Sequence, residues 1–458
     1  MDALGLARLQ FAVTTIYHFL FVPLTIGLAL TVAIMETIYV RTKNPAFKTM
    51  AQYWGRLFLI NFAVGVVTGI IQEFQFGMNW ASYSRFVGDV FGAPLAVEAL
   101  LAFFLESTFI GVWIFGWDRL KPSAHALAIW LVAIGTSVSA FWILTANSFM
   151  QEPAGYAVVH GHAEMASFGA LLANPQLWVE FPHVLFASVT TAAFFVAGIS
   201  AYFLLRRQHV DLFRSSMKIA LVLGAVATIL LAVNGDAQAK HVVQAQPMKM
   251  AAAEAVWHTT GGAAGWNIVA GIDQAAGKNT FAIQVPDLLT FLSGTKTFQG
   301  IDNLQAKDVQ QYGPGNYVPP VATTFWSFRI MVLAGVLMIL LAWYGLYLIA
   351  RRKALEGRRR YLRLLPLAIG LPYVANTFGW IMTEVGRQPW IVYGLQTTAQ
   401  GVSSTVSTGM VAASLIGFTV IFGLIAVADV YLLLRYAKAG PDGHEPVVDA
   451  PLEATAVL

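Results

Sequence analysis

The chain has no cysteine in 458 residues. That absence excludes disulfides, zinc ribbons, cysteine-ligated iron–sulfur clusters, thiolate copper and haem attached covalently through paired cysteines. Charge is scarce as well: Asp, Glu, Lys and Arg make up 11% of the chain, against about 25% in an ordinary soluble domain. With 57% hydrophobic and 13% aromatic residues, this is not a soluble protein. The net charge of +4 is no footprint of a nucleic-acid-binding face, and no nucleic-acid partner is expected. Histidine, methionine and carboxylates remain as possible metal ligands.

What is present is apolar length. Nine runs near the twenty residues that cross about 30 Å of hydrocarbon fall at 11–39, 57–76, 94–117, 125–149, 182–205, 219–233, 326–350, 364–383 and 410–434. Open strands cannot satisfy their backbone groups in lipid, so all nine are expected to be helices. The expected fold class is an all-α integral membrane bundle of nine transmembrane helices. No basic segment or small-residue cleavage pattern precedes the first run, which is read as a retained helix rather than a signal peptide.

Lysine and arginine sort to alternate connections. Arg41, Lys43 and Lys48 follow the first run, Arg119 and Lys121 the third, and Arg206, Arg207 and Arg214 the fifth. Arg351, Arg352, Lys353, Arg358, Arg359, Arg360 and Arg363 follow the seventh. The short opposite connections, after the second, fourth and eighth runs, hold only Arg85 and Arg387. The positive-inside rule makes the first set cytoplasmic and places the amino terminus outside and the carboxyl terminus inside. The expected division is 1–233 with six spans, a long outer connection at 234–325, 326–435 with three spans, and a disordered cytoplasmic tail at 436–458. The outer connection is too long for a passive loop and reads as a partly helical flap. No internal repeat is visible.

Ionisable side chains inside the spans carry the chemistry, since each costs roughly 2.5–3.5 kcal/mol at the bilayer centre even on the mildest scale. Glu98 and Glu106 share the third span. On an ideal helix they stand about 12 Å apart along the axis and about 80° apart around it. They read as a proton relay from the core towards a buried site, with structural carboxylates hydrogen-bonded to a neighbouring helix as the weaker alternative. His18 lies among aromatic residues of the first span, where a hydrogen-bonded histidine and a metal ligand are both sensible. His183 opens the fifth span and Met331 the seventh. With Glu384, these residues fall at one outer level of the bilayer, which suits a cofactor layer. Glu384 and Arg387 stand one helical turn apart, before the break made by Gly386 and Pro389.

Several motifs together resemble one family. They are Glu73 to Gly77, Asn79 with Trp80, Tyr83 to Pro94, Phe103 to Thr108, and Gly386 to Trp390. They resemble subunit I of the cytochrome bd-type quinol oxidases, and the resemblance extends over all nine spans. It implies a terminal oxidase that takes electrons from ubiquinol or menaquinol and reduces O₂ to water. It implies three haems: a low-spin haem b, a high-spin haem b, and haem d or a further haem b. Carried over to this sequence, His183 and Met331 resemble the ligands of the low-spin haem b, and His18 and Glu384 those of the high-spin haems. Lys249 and Glu254 match the quinol site, and Glu98 and Glu106 match the acidic pair that supports proton delivery. Arg387 and Arg329 would offset propionate charge, and Trp380 belongs to the haem environment. The resemblance also implies a second membrane subunit, subunit II, often joined by a small single-helix subunit, all in lipid. No extended insertion follows in the later part of the outer connection, so the chain reads as the short-loop type.

Competing readings fit less well. A haem–copper oxidase needs a dense set of histidines with an adjacent pair, and His160 and His162 lie in a connection instead. A bis-histidine cytochrome b needs paired histidines on two helices. A proton-coupled transporter without haem would explain Glu98 and Glu106, but not a layer of His, Met and Glu beneath a large flap.

Overall fold

Helix starts are encoded locally. Asn44 and Asn174 each accept the N–H two residues on, at 3.0 and 2.9 Å, with Pro45 and Pro175 at the first helical position, where a missing N–H costs nothing. Ser407 caps the last long helix through Met410 N–H. The computed structural model describes residues 2–295, 297–351 and 355–441. Of the expected disordered tail at 436–458, the first residues belong to the last long helix, which runs through Ala439; the tail beyond 441, with Arg352 and Lys353 of the basic turn, lies outside the described residues.

The first half of the chain runs α1 (Ala3–Thr42), α2 (Pro45–Met78), α3 (Ala81–Val97), a π-helical segment (Glu98–Phe103), α4 (Phe104–Phe115) and α5 (Pro122–Gln151). A hairpin of β1 (Tyr156–Val159) and β2 (His162–Met165) and the short α6 (Phe168–Leu172) lead to α7 (Pro175–Arg206) and α8 (Val210–Ala245). The long connection holds α9 (Pro247–Glu254), an antiparallel hairpin of β3 (Trp266–Asp273) and β4 (Lys278–Val285), α10 (Leu288–Ser293) and α11 (Ile301–Tyr312). Then come α12 (Val321–Ala350), α13 (Arg359–Ala368), α14 (Gly370–Val385), the paired β5 (Trp390–Val392) and β6 (Gln396–Thr397), α15 (Thr398–Gly401) and α16 (Thr408–Ala439).

Among the described residues, nine helical stretches are long and apolar enough to cross a membrane; α3 to α4 and α13 to α14 each form one stretch. Two further expectations need adjustment. The helix of the sixth span does not end at 233; α8 continues to Ala245. The long connection is partly helical as expected, and it also contains a β-hairpin.

Two of the hydrophobic clusters among the described residues position the site. Leu28, Trp54, Phe58, Ile129, Phe195 and Phe213 pack where α1, α2, α5, α7 and α8 meet. A second core fastens the connection to the bundle: Met248, Met250, Leu289 and Leu304 pack with Phe325 of α12 and Met382 of α14. The fully buried run Ala251, Ala252 and Ala253 has no side-chain bulk to hold α9 away. The connection is therefore a packed cap. Burial is uneven along the spans: 72% of the apolar window of α7 is buried within the chain, but only 11% of that of α16.

Candidate functional site

α7 and α12 both pack against α8 and both meet α14. Between these helices, beneath α9, lies a largely apolar cavity of about 410 Å³. His183 of α7 and Met331 of α12 both line it, together with Trp380, Lys249 and Glu254. Met331 sits where a glycine leaves room: a Cβ on Gly379 would come 3.1 Å from its sulfur. His183 Nδ1 is buried, and the Asn234 side chain of α8 is the polar group that its ring meets. A buried imidazole nitrogen and a thioether on one apolar cavity are a donor set that suits a haem iron. Phe19, next to His18, also lines the cavity and meets Trp380 edge-on at 5.1 Å.

His18 is oriented from α2. Its Nδ1 lies 3.0 Å from Thr68 Oγ1, and that hydroxyl also lies 3.0 Å from the carbonyls of Val64 and Gly65. The hydroxyl proton goes to a carbonyl, so its lone pair takes the Nδ1–H of His18. This tautomer presents Nε2 as a bare lone pair, the arrangement of a metal-ligating histidine held from behind. Gly69 admits the ring, since a Cβ there would come 3.0 Å from Cε1.

Glu384 lies apart from the cavity, in a polar network. Its Oε1 accepts from Asn147 Nδ2 at 3.2 Å and Gln151 Nε2 at 3.0 Å, and its Oε2 pairs with Arg387 Nη2. Arg387 is 3% exposed, and its Nε and Nη1 have no partner. Two unpaired guanidinium donors in a buried place fit an anionic group such as a propionate. The expected outer level thus resolves into distinct places: His183 with Met331 in the cavity, His18 behind Phe19, and Glu384 in the network.

Lys249 and Glu254 leave the short α9 toward different partners. Lys249 Nζ donates to Gln151 Oε1 at 2.6 Å. Burial pushes its ammonium down to about 7; Arg387 adds to the shift, and Glu384 and Glu180 oppose it. Glu254 Oε2 pairs with Arg329 Nη2 at 2.5 Å. Burial pushes the Glu254 carboxyl up, against the charge of Arg329. Arg329 also donates from Nε to Asn267 O at 2.7 Å and lies over the Phe325 ring at 4.5 Å. Its charge is committed to the cap, so of the two arginines only Arg387 keeps free donors.

Glu98 and Glu106 are brought onto one face. The π-helical segment lies between them, and a π-bulge accommodates one extra residue. Eight positions then turn like seven, about 20° short of two full turns instead of about 80° past them. Both carboxylates consequently face α5: Glu98 accepts from Ser139 Oγ at 2.7 Å, and Glu106 packs on Gly135, where a Cβ would come 2.9 Å from its Cγ.

Residues 6–441 match the family model described as cytochrome bd terminal oxidase subunit I. The chain belongs to the cytochrome bd terminal oxidase subunit I family. It is 55% identical over 455 residues to cytochrome bd ubiquinol oxidase subunit 1 of Bacillus subtilis, covering 99% of this chain and 97% of that one. It is 40% identical over 505 residues to cytochrome bd-II ubiquinol oxidase subunit 1 of Escherichia coli, covering 97% and 98%. The bd oxidase structure from Geobacillus thermodenitrificans superposes with a TM-score of 0.87 at 28% identity, covering 96% of this chain and 99% of that chain. With its nine apolar stretches, this member of the bd family is a multi-pass membrane protein.

Sequence reasoning missed several residues of this bd-family site. Gln151, Asn147 and Thr68 hold the expected ligands and lysine in place, and Glu180 with Gln176 lines the cavity. A usable signal existed for the first two: Asn147 and Gln151 are amides four apart at the end of an apolar helix. Thr68 carries no such mark, because threonines in lipid-spanning helices commonly bond their own backbone.

Proposed function

We propose that this chain is the haem-bearing subunit of a quinol oxidase, in which quinol is oxidised beneath the long connection and O₂ is reduced to water. One observation carries the reading: His183 and Met331 share a single cavity with Lys249 and Glu254. A quinol held by the last two would stand beside the metal ligated by the first two. His183 and Met331 would hold the low-spin haem b, with Met ligation raising its potential. His18 and Glu384 would hold the two high-spin haems, haem b and haem d or a second haem b, and Arg387 would take a propionate. The bound haems supply electron transfer and oxygen reduction.

The protein's own residues bind substrate and move protons. Lys249 donates a hydrogen bond to a quinol oxygen. Glu254, neutralised by Arg329, closes the cap over the ring and is the proton acceptor of the pair. On the other side of the bundle, Glu106 and Glu98 line α5 as a relay for protons taken up from the cytoplasm. The positive-inside orientation puts quinol protons outside and oxygen-reduction protons inside, so charge is separated without a pump. The sparsely buried faces of α16 and of α3 to α4 suit subunit II, with lipid over the rest.

The purified complex tests this reading. Reduced-minus-oxidised difference spectra are expected to show haem bands, with His183→Ala removing the low-spin band. Lys249→Ala is expected to weaken quinol oxidation and leave the haems in place. A colourless, correctly folded complex, or haem loss in both variants, would sink the assignment.

A further inference from the structure

One buried carboxylate in the cavity has no part in the roles above. Glu180 lies on α7, one turn before His183, and is 4% exposed. It lines the same cavity as Lys249. Its Oε2 accepts a single long hydrogen bond, 3.3 Å from Gln176 Nε2, four residues back on the same helix. No hydrogen bond is found for its Oε1 among the described residues, and this oxygen is not among the solvent-inaccessible unpaired atoms.

The other acidic groups of the cavity wall are committed. Glu254 is held by Arg329 at 2.5 Å, and Asp236 by Lys240 at 2.6 Å. Glu180 is the carboxylate that makes no ion pair among the described residues lining the cavity. A cavity wall offering an ammonium donor and a carboxylate acceptor suits a ring that carries oxygen atoms on both sides. It suits the reduced form better than the oxidised one, because a hydroxyl can donate to a carboxylate and a quinone carbonyl cannot.

We propose that Glu180 is a quinol-binding residue whose free carboxylate oxygen accepts a hydrogen bond from one hydroxyl of the substrate ring. Glu180 thereby favours quinol over quinone in the cavity. The proposal rests on the reading that this cavity oxidises quinol.

The test uses the complete oxidase with its haems and partner subunits. Glu180→Leu is expected to raise the KM for quinol about threefold to tenfold, the range of one hydrogen bond. The low-spin haem spectrum and midpoint potential are expected to stay unchanged. Glu180→Gln keeps the shape and a weaker acceptor; it is expected to raise KM about threefold and to lose part of the preference for quinol over quinone in competition assays. If Glu180→Leu fails to assemble, Glu180→Gln alone decides. An unchanged KM in Glu180→Gln, or a shifted haem potential with unchanged KM, overturns the proposal. Lys249→Ala separates the two levels: if it raises KM while the Glu180 variants do not, only the role of Glu180 fails. If neither residue affects KM in haem-loaded enzyme, the quinol reading of the cavity fails with it.

Discussion

Lys249 and Glu384 meet on one side chain. Gln151 accepts from Lys249 Nζ at 2.6 Å through Oε1 and donates to Glu384 Oε1 at 3.0 Å through Nε2. Gln151 is fully buried, so its amide has one orientation that satisfies both neighbours: oxygen toward the ammonium and nitrogen toward the carboxylate. Lys249 and Glu384 are thus held in register by an amide that belongs to neither of the two proposed sites.

Gln151→Leu breaks both hydrogen bonds together, at about 1.5–3 kcal/mol for each bond to a charged group. The expected outcome is a raised KM for quinol together with a changed high-spin haem spectrum. Steady-state kinetics and difference spectra on one preparation check it. Movement of only one readout would show that the two sites are not linked through Gln151.

Lys249 makes stability depend on pH. Its native ammonium is pushed down to about 7 from 10.5, mainly by burial. Between those values the unfolded chain holds a proton that the native chain does not, so stability rises with pH across that window. Below about 7 both states are protonated and the burial penalty is complete. Thermal inactivation of wild type is expected to shift upward between about pH 7 and pH 9 relative to Lys249→Met. Parallel profiles for the two proteins would contradict the shift.

Thr68→Val keeps the shape of the residue but removes the oxygen that accepts the Nδ1–H of His18. The ring loses its fixed tautomer and orientation, and loss of such a supporting partner typically costs about 10–100-fold in metal affinity or activity. Haem extraction and quantification should find the haem attributed to His18 depleted and the low-spin band intact. Full haem occupancy with unchanged oxygen reduction would remove Thr68 from that role.

Gly135→Ala places a methyl group 2.9 Å from Glu106 Cγ, which moves the carboxylate off its line with Glu98. Ser139→Ala removes the 2.7 Å hydrogen bond to Glu98. Both variants are expected to slow oxygen reduction severalfold, with unchanged haem content and quinol KM. Proton-uptake measurements in vesicles check the assignment, since a relay defect appears there and a packing defect appears in thermal stability.

Arg329→Leu strands Glu254 in a buried site without its counter-charge, a change worth about 3–5 kcal/mol for a buried pair. The cap is expected to loosen, with faster inactivation and weaker quinol oxidation. The double variant Arg329→Leu with Glu254→Leu should recover part of the stability and none of the activity. Equal stability of single and double variants would mean that the pair does not fasten the cap.

The sequence by itself determined the membrane class, the nine spans and the family, because apolar run length and contiguous motifs are local properties. It also singled out the charged residues within the spans, since charge there is too costly to be incidental. Only the tertiary structure decided how those residues are paired. Which carboxylate Arg329 holds, and that Gln151 joins Lys249 to Glu384, depend on helices and loops far apart in the chain. The alignment of Glu98 with Glu106 turns on one π-helical segment, which apolar periodicity does not register because its Leu100 and Leu101 are exposed within this chain. The extension of α8 to Ala245 was hidden for a related reason: its polar last turns continue past the hydropathy limit and are held by packing against the cap. Hydropathy shows where a helix meets lipid; contact with the rest of the fold sets where it ends and what its buried charges face.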